Sequence, residues 1–381
     1  MTVTRDIIYV GVNDKITDLF EGQYPIPDGI TYNSYLIMDG RIAVMDSVDS
    51  RFADEWISNI KSLLGEKKPD YLIVQHMEPD HSSSICHFLE AFPEATVVSS
   101  AKAFNMMNNF FSRDFTQNGI VVTDGGELSL GKHTLKFISA PMVHWPEVIM
   151  TYDLTDKVLF SADAFGKFGI SESDWSDEAR RYYIGIVGKY GAQVQSVLKK
   201  ASELQISAIC PLHGPVLSEN AEYCIDLYRK WSSYTPEEKG VVIAYASVYG
   251  NTRRAAMLLA DELHALGTKV MVYDLSRSDM SKVVADAFRY SDLVLASTTY
   301  NADIFPSMRE FINHLTERNY QSRTVSFIEN GSWAPMAEKV MRGMLEKSKN
   351  LTFNENSVKI LSALNESSVE QIKSLARTIC K

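Results

Sequence analysis

The hydrophobic pattern of the chain changes rhythm once, at residues 231–240 (WSSYTPEEKG), where polar residues, a proline and a glycine separate two different repeats. Before this stretch, apolar runs come in pairs joined by turn signals. TYNSYLIMDGRIAVMDSVD sets Asp39-Gly40 between two runs, and VIMTYDLTDKVLFSADAF repeats the form around Thr155-Asp156, both hairpin patterns. Helical stretches such as FADEWISNIKSLLG interrupt them. After the break, VVIAYAS, KVMVYDL, DLVLAST and TVSFIEN alternate with longer helical segments, the pattern of a parallel sheet wrapped by helices. A chain of 381 residues also suits two cores better than one. The reading is therefore two domains, residues 1–235 and 236–381, with no internal repeat and no low-complexity tract.

Composition narrows the partners. With 45% apolar and 23% charged residues, both domains are expected to be globular. No apolar run approaches the roughly eighteen residues of a membrane span, and MTVTRDIIYV lacks the features of a signal peptide, so a cytoplasmic protein is expected. A formal charge of −10 argues against a nucleic-acid or membrane partner and suits a small basic carrier protein better. The four cysteines are scattered without a CxxC pair, which excludes a disulfide framework and cysteine-ligated metal sites. Any metal must be held by His and carboxylates.

Such residues crowd into VQHMEPDHSSS, residues 74–84, directly behind a short apolar strand. If the chain leaves that strand still extended, His76, Glu78 and Asp80 share one side while His81 points elsewhere, so one loop can feed two neighbouring ions. Further ligands are expected at the ends of other strands. His144 follows TLKFISA, Asp163 ends KVLFSAD, and His213 follows ISAIC. Singly, each has a plain alternative: a lone His after a strand is commonly structural, as His87, His133, His264 and His314 are read here, and Asp163 suits a helix N-cap before AFGKF. Together they supply four imidazoles and three carboxylates, enough for two ions with Asp163 free to bridge.

HMEPDH followed by His144, Asp163 and His213 resembles the metallo-β-lactamase-like fold, an αββα sandwich, and specifically its flavodiiron branch. The spacing is similar to that branch, with 62 residues between His81 and His144 and 18 between His144 and Asp163. Zinc hydrolases of the superfamily usually carry a second His where this chain has Glu78. A carboxylate there adds negative charge and a hard oxygen, which favours iron and stabilises its ferric state. The resemblance implies that His76, Glu78 and His144 hold one iron, that Asp80, His81 and His213 hold the other, and that Asp163 bridges. Tyr182 or Tyr183 would at most donate a hydrogen bond or proton nearby.

In the second half, IAYASVYGNTRRAA runs from a strand into a helix through Ser247, Tyr249, Gly250, Asn251 and Thr252, an anion cradle at a helix N-terminus. It lacks the P-loop lysine spacing and GxGxxG, so a phosphate monoester fits it better than ATP or a dinucleotide, although such a run also makes a plain helix cap. Thr299, Tyr300 and Asn301 in LVLASTTYNADIFP, and Gly331, Ser332 and Trp333 in SFIENGSWAP, stand at further strand ends. This half resembles flavodoxins, a doubly wound parallel fold. The resemblance implies FMN, its phosphate on residues 247–252 and its ring bordered by Tyr300 and Trp333.

Across both halves the resemblance implies an oxidoreductase. Electrons from an external donor, such as rubredoxin or a reduced cofactor, would reach FMN and then a non-haem diiron site that reduces dioxygen to water or nitric oxide to nitrous oxide. The preferred gas is left open, because both need the same ligands. A binuclear zinc hydrolase, or a flavodoxin-like electron carrier with a relic metal site, are the alternatives. Domains of this size have radii of gyration near 17 and 14 Å, roughly, so sites at their strand ends risk lying too far apart within one chain. A head-to-tail homodimer, or a dimer of dimers, removes that difficulty and is what the family resemblance implies.

Overall fold

A computed structural model of the chain describes residues 2–117, 119–171 and 175–381. It divides into two compact units, Met1–Arg229 and Lys230–Lys381. The division falls within the helix Ala221–Ser232, six residues ahead of the expected boundary.

The first unit is built on two sheets. One has six strands in the order Ile7–Tyr9, Tyr35–Ile37, Ala43–Met45, Tyr71–Ile73, Thr96–Ser100 and Gly119–Val122; the other has five, Glu127–Ser129, Thr134–Ser139, Ile149–Asp153, Val158–Phe160 and Ala208–Cys210. Both expected hairpins form, with Ile37 paired to Ala43 around Asp39-Gly40 and Asp153 to Val158 around Thr155-Asp156. Period-two alternation sends neighbouring residues to opposite faces. Tyr35 and Ile37 enter a core shared with Phe137, Ile149, Val158 and Phe160 of the second sheet, whereas Leu36 packs under the helices with Val44 and Leu72. Helix Ala53–Leu64 presents Trp56, Ile60 and Leu64 to that outer face, a spacing of four residues that lines up one side of a helix. Helices Ile85–Ala91 and Ala101–Phe111 add Phe88, Phe104 and Met107. With Gly191–Ala201 and Ala221–Ser232, these layers make the αββα sandwich.

The strands that precede the candidate ligands run parallel where it matters. Tyr71–Ile73 lies parallel to both its neighbours, and Val158–Phe160 lies parallel to Ala208–Cys210. Parallel neighbours end at the same edge, so the chain leaving Ile73 and the chains leaving Phe160 and Cys210 open at common edges of their sheets.

The second unit is a parallel sheet in the order Val270–Asp274, Glu238–Ala246, Tyr290–Tyr300, Thr324–Asn330, extended beyond Thr324–Asn330 by Thr352–Phe353 and Val358–Ile360. In chain order this is 2-1-3-4-5, the doubly wound arrangement, with its switch point between Glu238–Ala246 and Tyr290–Tyr300. Helices Asn251–Ala265 and Glu366–Ile379 pack on one face through Leu259, Leu263, Ile372 and Leu375. No helix among the described residues is long and apolar enough to cross a membrane.

Candidate metal centre and flavin cleft

The stretch behind Ile73 stays extended only as far as Glu78. Pro79 then takes the first position of a single helical turn, Pro79–Ser82, for which its fixed φ is suited. The turn is fastened by His81 N donating to Glu78 O (2.9 Å) and Ser82 Oγ donating to Met77 O (2.9 Å). The expected sharing of one side therefore applies to His76 and Glu78 but not to Asp80, which rotates with the helix. His81 does not point away from Asp80; both face a second set of donors.

Two groups result. His76, Glu78, His144 and Asp163 offer ligand atoms within 4.8 Å of one another, and so do Asp80, His81 and His213. In the first, His144 Nε2 lies 3.1 Å from Glu78 Oε2 and 3.0 Å from Asp163 Oδ2, and His76 Nε2 lies 3.3 and 3.2 Å from the same two oxygens. In the second, His81 Nε2 and His213 Nε2 are each 3.3 Å from Asp80 Oδ2 and 3.0 Å from each other. Asp163 faces both, turning Oδ2 to the first group and Oδ1 to the second, 3.3 Å from His81 Nε2. It caps no helix. Donors bonded at about 2.0–2.2 Å to one ion stand roughly 3 Å apart, which is the spacing seen in each group. Each group also contains two imidazoles and one carboxylate of its own, a set suited to non-haem iron.

The same side chains fit a pair of cations electrostatically. Asp163 and His81 are buried, and Asp80 nearly so. Both oxygens of Asp80 and Oδ1 of Asp163 have no hydrogen-bond partner, which for buried carboxylates is costly unless a cation is close. Burial alone disfavours a charged His144, yet hydrogen bonds that its ring donates to Asp163 and Glu78 outweigh it and push its pKa up to about 9. Burial likewise opposes a charged His76, and Asp163 with Glu147 and Glu78 reverses that, so its pKa stands well above the ordinary value. The carboxylates thus call for positive charge at the places where ions would lie.

Surrounding groups orient these donors, and none is visible from local sequence. His76 Nδ1 faces Glu147 Oε1 at 2.8 Å, and the same oxygen accepts from Met77 N at 2.9 Å. His213 Nδ1 faces the carbonyl of Thr31 at 2.6 Å, while Thr31 Oγ1 accepts from Gly214 N at 2.7 Å. Asn33 Nδ2 donates to Pro211 O and Gly214 O, both at 2.8 Å, and so clamps the segment that carries His213. Asp46 accepts from Gln75 N and Nε2. Of the two tyrosines, Tyr182 lies beside the centre, its ring 5.5 Å from that of His213, whereas Tyr183 packs on Tyr228. Burial, then the charge of Asp163, hold the Tyr182 hydroxyl well above its ordinary pKa, so it keeps its proton. A cleft of about 240 Å³ reaches Glu78 and Asp80 past Phe20, Glu21, Tyr32 and Arg51. Glu21 sits at the turn of the hairpin Leu19–Phe20 and Tyr24–Pro25; desolvation and then repulsion from Glu78 push its carboxyl up to about 7.

In the second unit a cleft of about 640 Å³ opens at the switch point. Ser247, Tyr249, Asn251, Thr252, Thr299, Tyr300, Asn301, Gly331, Ser332 and Trp333 line it. Gly250 does not; it turns the chain at φ +86°, a conformation glycine adopts freely, and lines the adjoining groove of the helix. Helix Asn251–Ala265 begins there without a side-chain cap, leaving its first amides facing the loop. Thr299 is partly committed elsewhere, since its Oγ1 accepts from Met336 N and Ala337 N. Gly331 is required, as a Cβ would meet Pro335 Cα at 2.9 Å. Trp333 is 91% exposed and Tyr249 90%, so neither is a core residue. Neutral hydroxyls, amides and aromatic faces fit a flavin phosphate and ring.

The other histidines stand apart. His133, with Asp153 and Asp156, forms a further cluster, but its Nδ1 pairs with Asp153 (2.9 Å) and its Nε2 with Asp6 (3.4 Å), as in a hydrogen-bonded tether.

A β-lactamase-like metal unit joined to a flavodoxin-like unit defines a flavin-linked metalloenzyme. The ODP family beta lactamase profile matches residues 30–214, and the flavodoxin domain profile matches residues 242–360. A nitric oxide reductase of Moorella thermoacetica is 30% identical over 92% of this chain and 90% of its own. The structure of rubredoxin:oxygen oxidoreductase from Desulfovibrio gigas superposes with a TM-score of 0.92 at 26% identity, covering 100% of this chain and 97% of that one. The flavodiiron protein of Giardia intestinalis superposes at 0.86 with 27% identity, over 99% and 97% of the two chains. The chain belongs to the flavodiiron family. It is an oxidoreductase whose cofactors are FMN and a non-haem diiron site.

Proposed function

We propose that this chain takes electrons from an external donor such as rubredoxin onto FMN and uses them to reduce dioxygen to water, nitric oxide to nitrous oxide, or both. His76, Glu78 and His144 hold one iron, Asp80, His81 and His213 the other, and Asp163 joins them. Ser247 to Thr252 take the FMN phosphate, with Thr299 to Asn301 and Gly331 to Trp333 along the ring. The observation that carries the reading is Asp163, whose two oxygens turn to two separate groups of two imidazoles and one carboxylate. Two iron ions held by these residues would supply the electrons for reducing the gas.

The chain's own residues set the conditions. Glu78, Asp80, Asp163 and Glu147 together match the charge of two divalent ions, so the site is neutral before a gas enters. Phe20 packs edge-on to His213 and Tyr32 lies against both His81 and His213, limiting water to the cleft beside Glu21. Tyr182, still protonated, stands beside His213, and Glu21 lines the cleft at Glu78, two groups placed to pass protons toward the gas.

We also propose that the working unit is a head-to-tail homodimer in which flavin and iron of different chains cooperate. Steady-state consumption of each gas, with reduced rubredoxin in excess and metal and flavin measured per chain, tests the reaction. Protein with two irons and one FMN that consumes neither gas would overturn it. Mixing a metal-dead variant (His144→Ala, Asp163→Ala) with a flavin-dead one (Gly250→Trp, Trp333→Ala) tests the dimer. Activity should return in mixed dimers, and none despite proven mixing refutes the transfer between chains.

A further inference from the structure

The two iron positions differ in what stands behind their imidazoles. Glu147 Oε1 accepts from His76 Nδ1, its side chain is fully buried, and its other oxygen has no hydrogen-bond partner. On the other side, His213 Nδ1 meets only a neutral carbonyl, that of Thr31, and His81 Nδ1 has no hydrogen-bond partner. Asp46 is the other buried carboxylate nearby, but it directs both oxygens to Gln75, at 2.7 Å each, and not to an imidazole. Among the described residues, Glu147 is therefore the only carboxylate bonded to the outer nitrogen of any of the four histidines.

Glu147 is also placed firmly. Its carbonyl accepts from Ser100 Oγ at 2.9 Å, and it lies three residues beyond His144 on the segment that brings that donor to the same ion. A carboxylate hydrogen-bonded to a coordinated imidazole draws on its N–H proton and makes the other nitrogen a stronger donor, and its own charge favours an ion of higher charge.

We infer that Glu147 is a positioning residue that acts through His76 to make the iron held by His76, Glu78 and His144 the more easily oxidised of the two. This rests on the diiron reading above. The step is the loss of one electron as that ion passes from ferrous to ferric, taken in turnover by the gas and in a titration by ferricyanide. The Nδ1 proton stays shared between His76 and Glu147.

The test is an anaerobic potentiometric titration of the iron- and FMN-loaded protein, followed by electron paramagnetic resonance of the half-oxidised centre. Glu147→Gln keeps an oxygen for both His76 and Met77 N but removes the charge. It should retain two irons, shift the first oxidation to higher potential and lower the maximum yield of the half-oxidised form. Glu147→Asp, which keeps the charge on a shorter arm, should fall between parent and Gln. Glu147→Ala should weaken iron retention by about 10–100-fold. Unchanged potentials and yield in iron-replete Glu147→Gln would overturn the inference. A second measurement needs no variant: Mössbauer spectra of the half-oxidised parent must show distinct ferric and ferrous sites, and a valence-averaged pair refutes it. Failure of the parent to bind iron or consume either gas would instead count against the proposed function, since the potentials are read without turnover.

Discussion

Asn33 is the residue through which fold stability and the metal centre meet. Its buried amide nitrogen donates to Pro211 O and Gly214 O, both at 2.8 Å, while its backbone N donates to Leu212 O at 2.8 Å. Asn33→Ala leaves the backbone bond, and Pro211 O keeps a donor in Tyr35 Oη at 3.0 Å, but Gly214 O loses its donor. The unsatisfied Gly214 carbonyl costs about 1–2 kcal/mol and the lost second bond to Pro211 O about 0.5–1 kcal/mol, so the variant should lose roughly 1.5–3 kcal/mol. For a unit of 150–250 residues, each 1 kcal/mol moves Tm by about 2–4 °C, giving a drop of about 3–12 °C. The assay is calorimetry of the metal-free protein, because bound iron adds its own stabilisation. Iron retention against a chelator is the second reading and should fall, since the segment released carries His213. Asn33→Asp, nearly the same shape, should lose more, as it sets a carboxylate oxygen against two carbonyls. A metal-free Tm within about 2 °C of the parent, with iron retained equally, would show that residues 211–214 hold their place without Asn33, and the reasoning would fail.

Three further outcomes are expected. Glu78→His should raise zinc occupancy and abolish gas reduction while FMN stays bound, because it removes a hard anionic donor 3.1 Å from His144 Nε2; unchanged turnover with iron retained refutes the role given to Glu78. Trp333→Ala should weaken FMN binding about fivefold, from roughly 1 kcal/mol of lost ring contact, with iron content and Tm unchanged; equal flavin affinity and potential would make Trp333 a bystander. His133 has a raised pKa: burial opposes its charge, and Asp153 outweighs burial. A raised folded pKa gives stability that is complete below the unfolded value of 6.5 and is lost as pH rises through the folded value. Denaturant midpoints taken from about pH 6 upward should therefore fall more in the parent than in His133→Asn, and equal slopes would sink the tether.

What the sequence disclosed was what short-range periodicity can carry. The turn pair Asp39-Gly40 and the alternating runs around Thr155 marked true hairpins, and the strand–helix alternation after residue 240 marked the parallel sheet. Thr352–Phe353 and Val358–Ile360 escaped because two- and three-residue strands have too few positions to show alternation. The turn Pro79–Ser82 escaped although Pro79 is a helix-start signal, because the extension of the preceding strand was carried two residues too far, through Asp80. Glu147, Thr31 and Asn33 escaped for a different reason. Their partners lie 71, 182 and 181 residues away, and no local pattern marks a contact that only the finished sandwich creates.

The single turn at Pro79 also explains how six consecutive residues divide between the two groups of donors. In a strand, His76 and Glu78 fall on one side with period two, and continued extension would have added Asp80 to the same group and turned His81 away. Changing to helical geometry between Glu78 and Asp80 brings Asp80 and His81 together toward His213 instead. The two groups are then linked by one peptide segment on one side and by Asp163 on the other. Their separation is set by backbone that hydrogen bonds from His81 N and Ser82 Oγ hold in place, so the distance between the two groups is a property of the fold and not of flexible side chains. Donor groups fixed by the backbone in this way are in place before a substrate arrives, so its binding need not be spent on bringing them together.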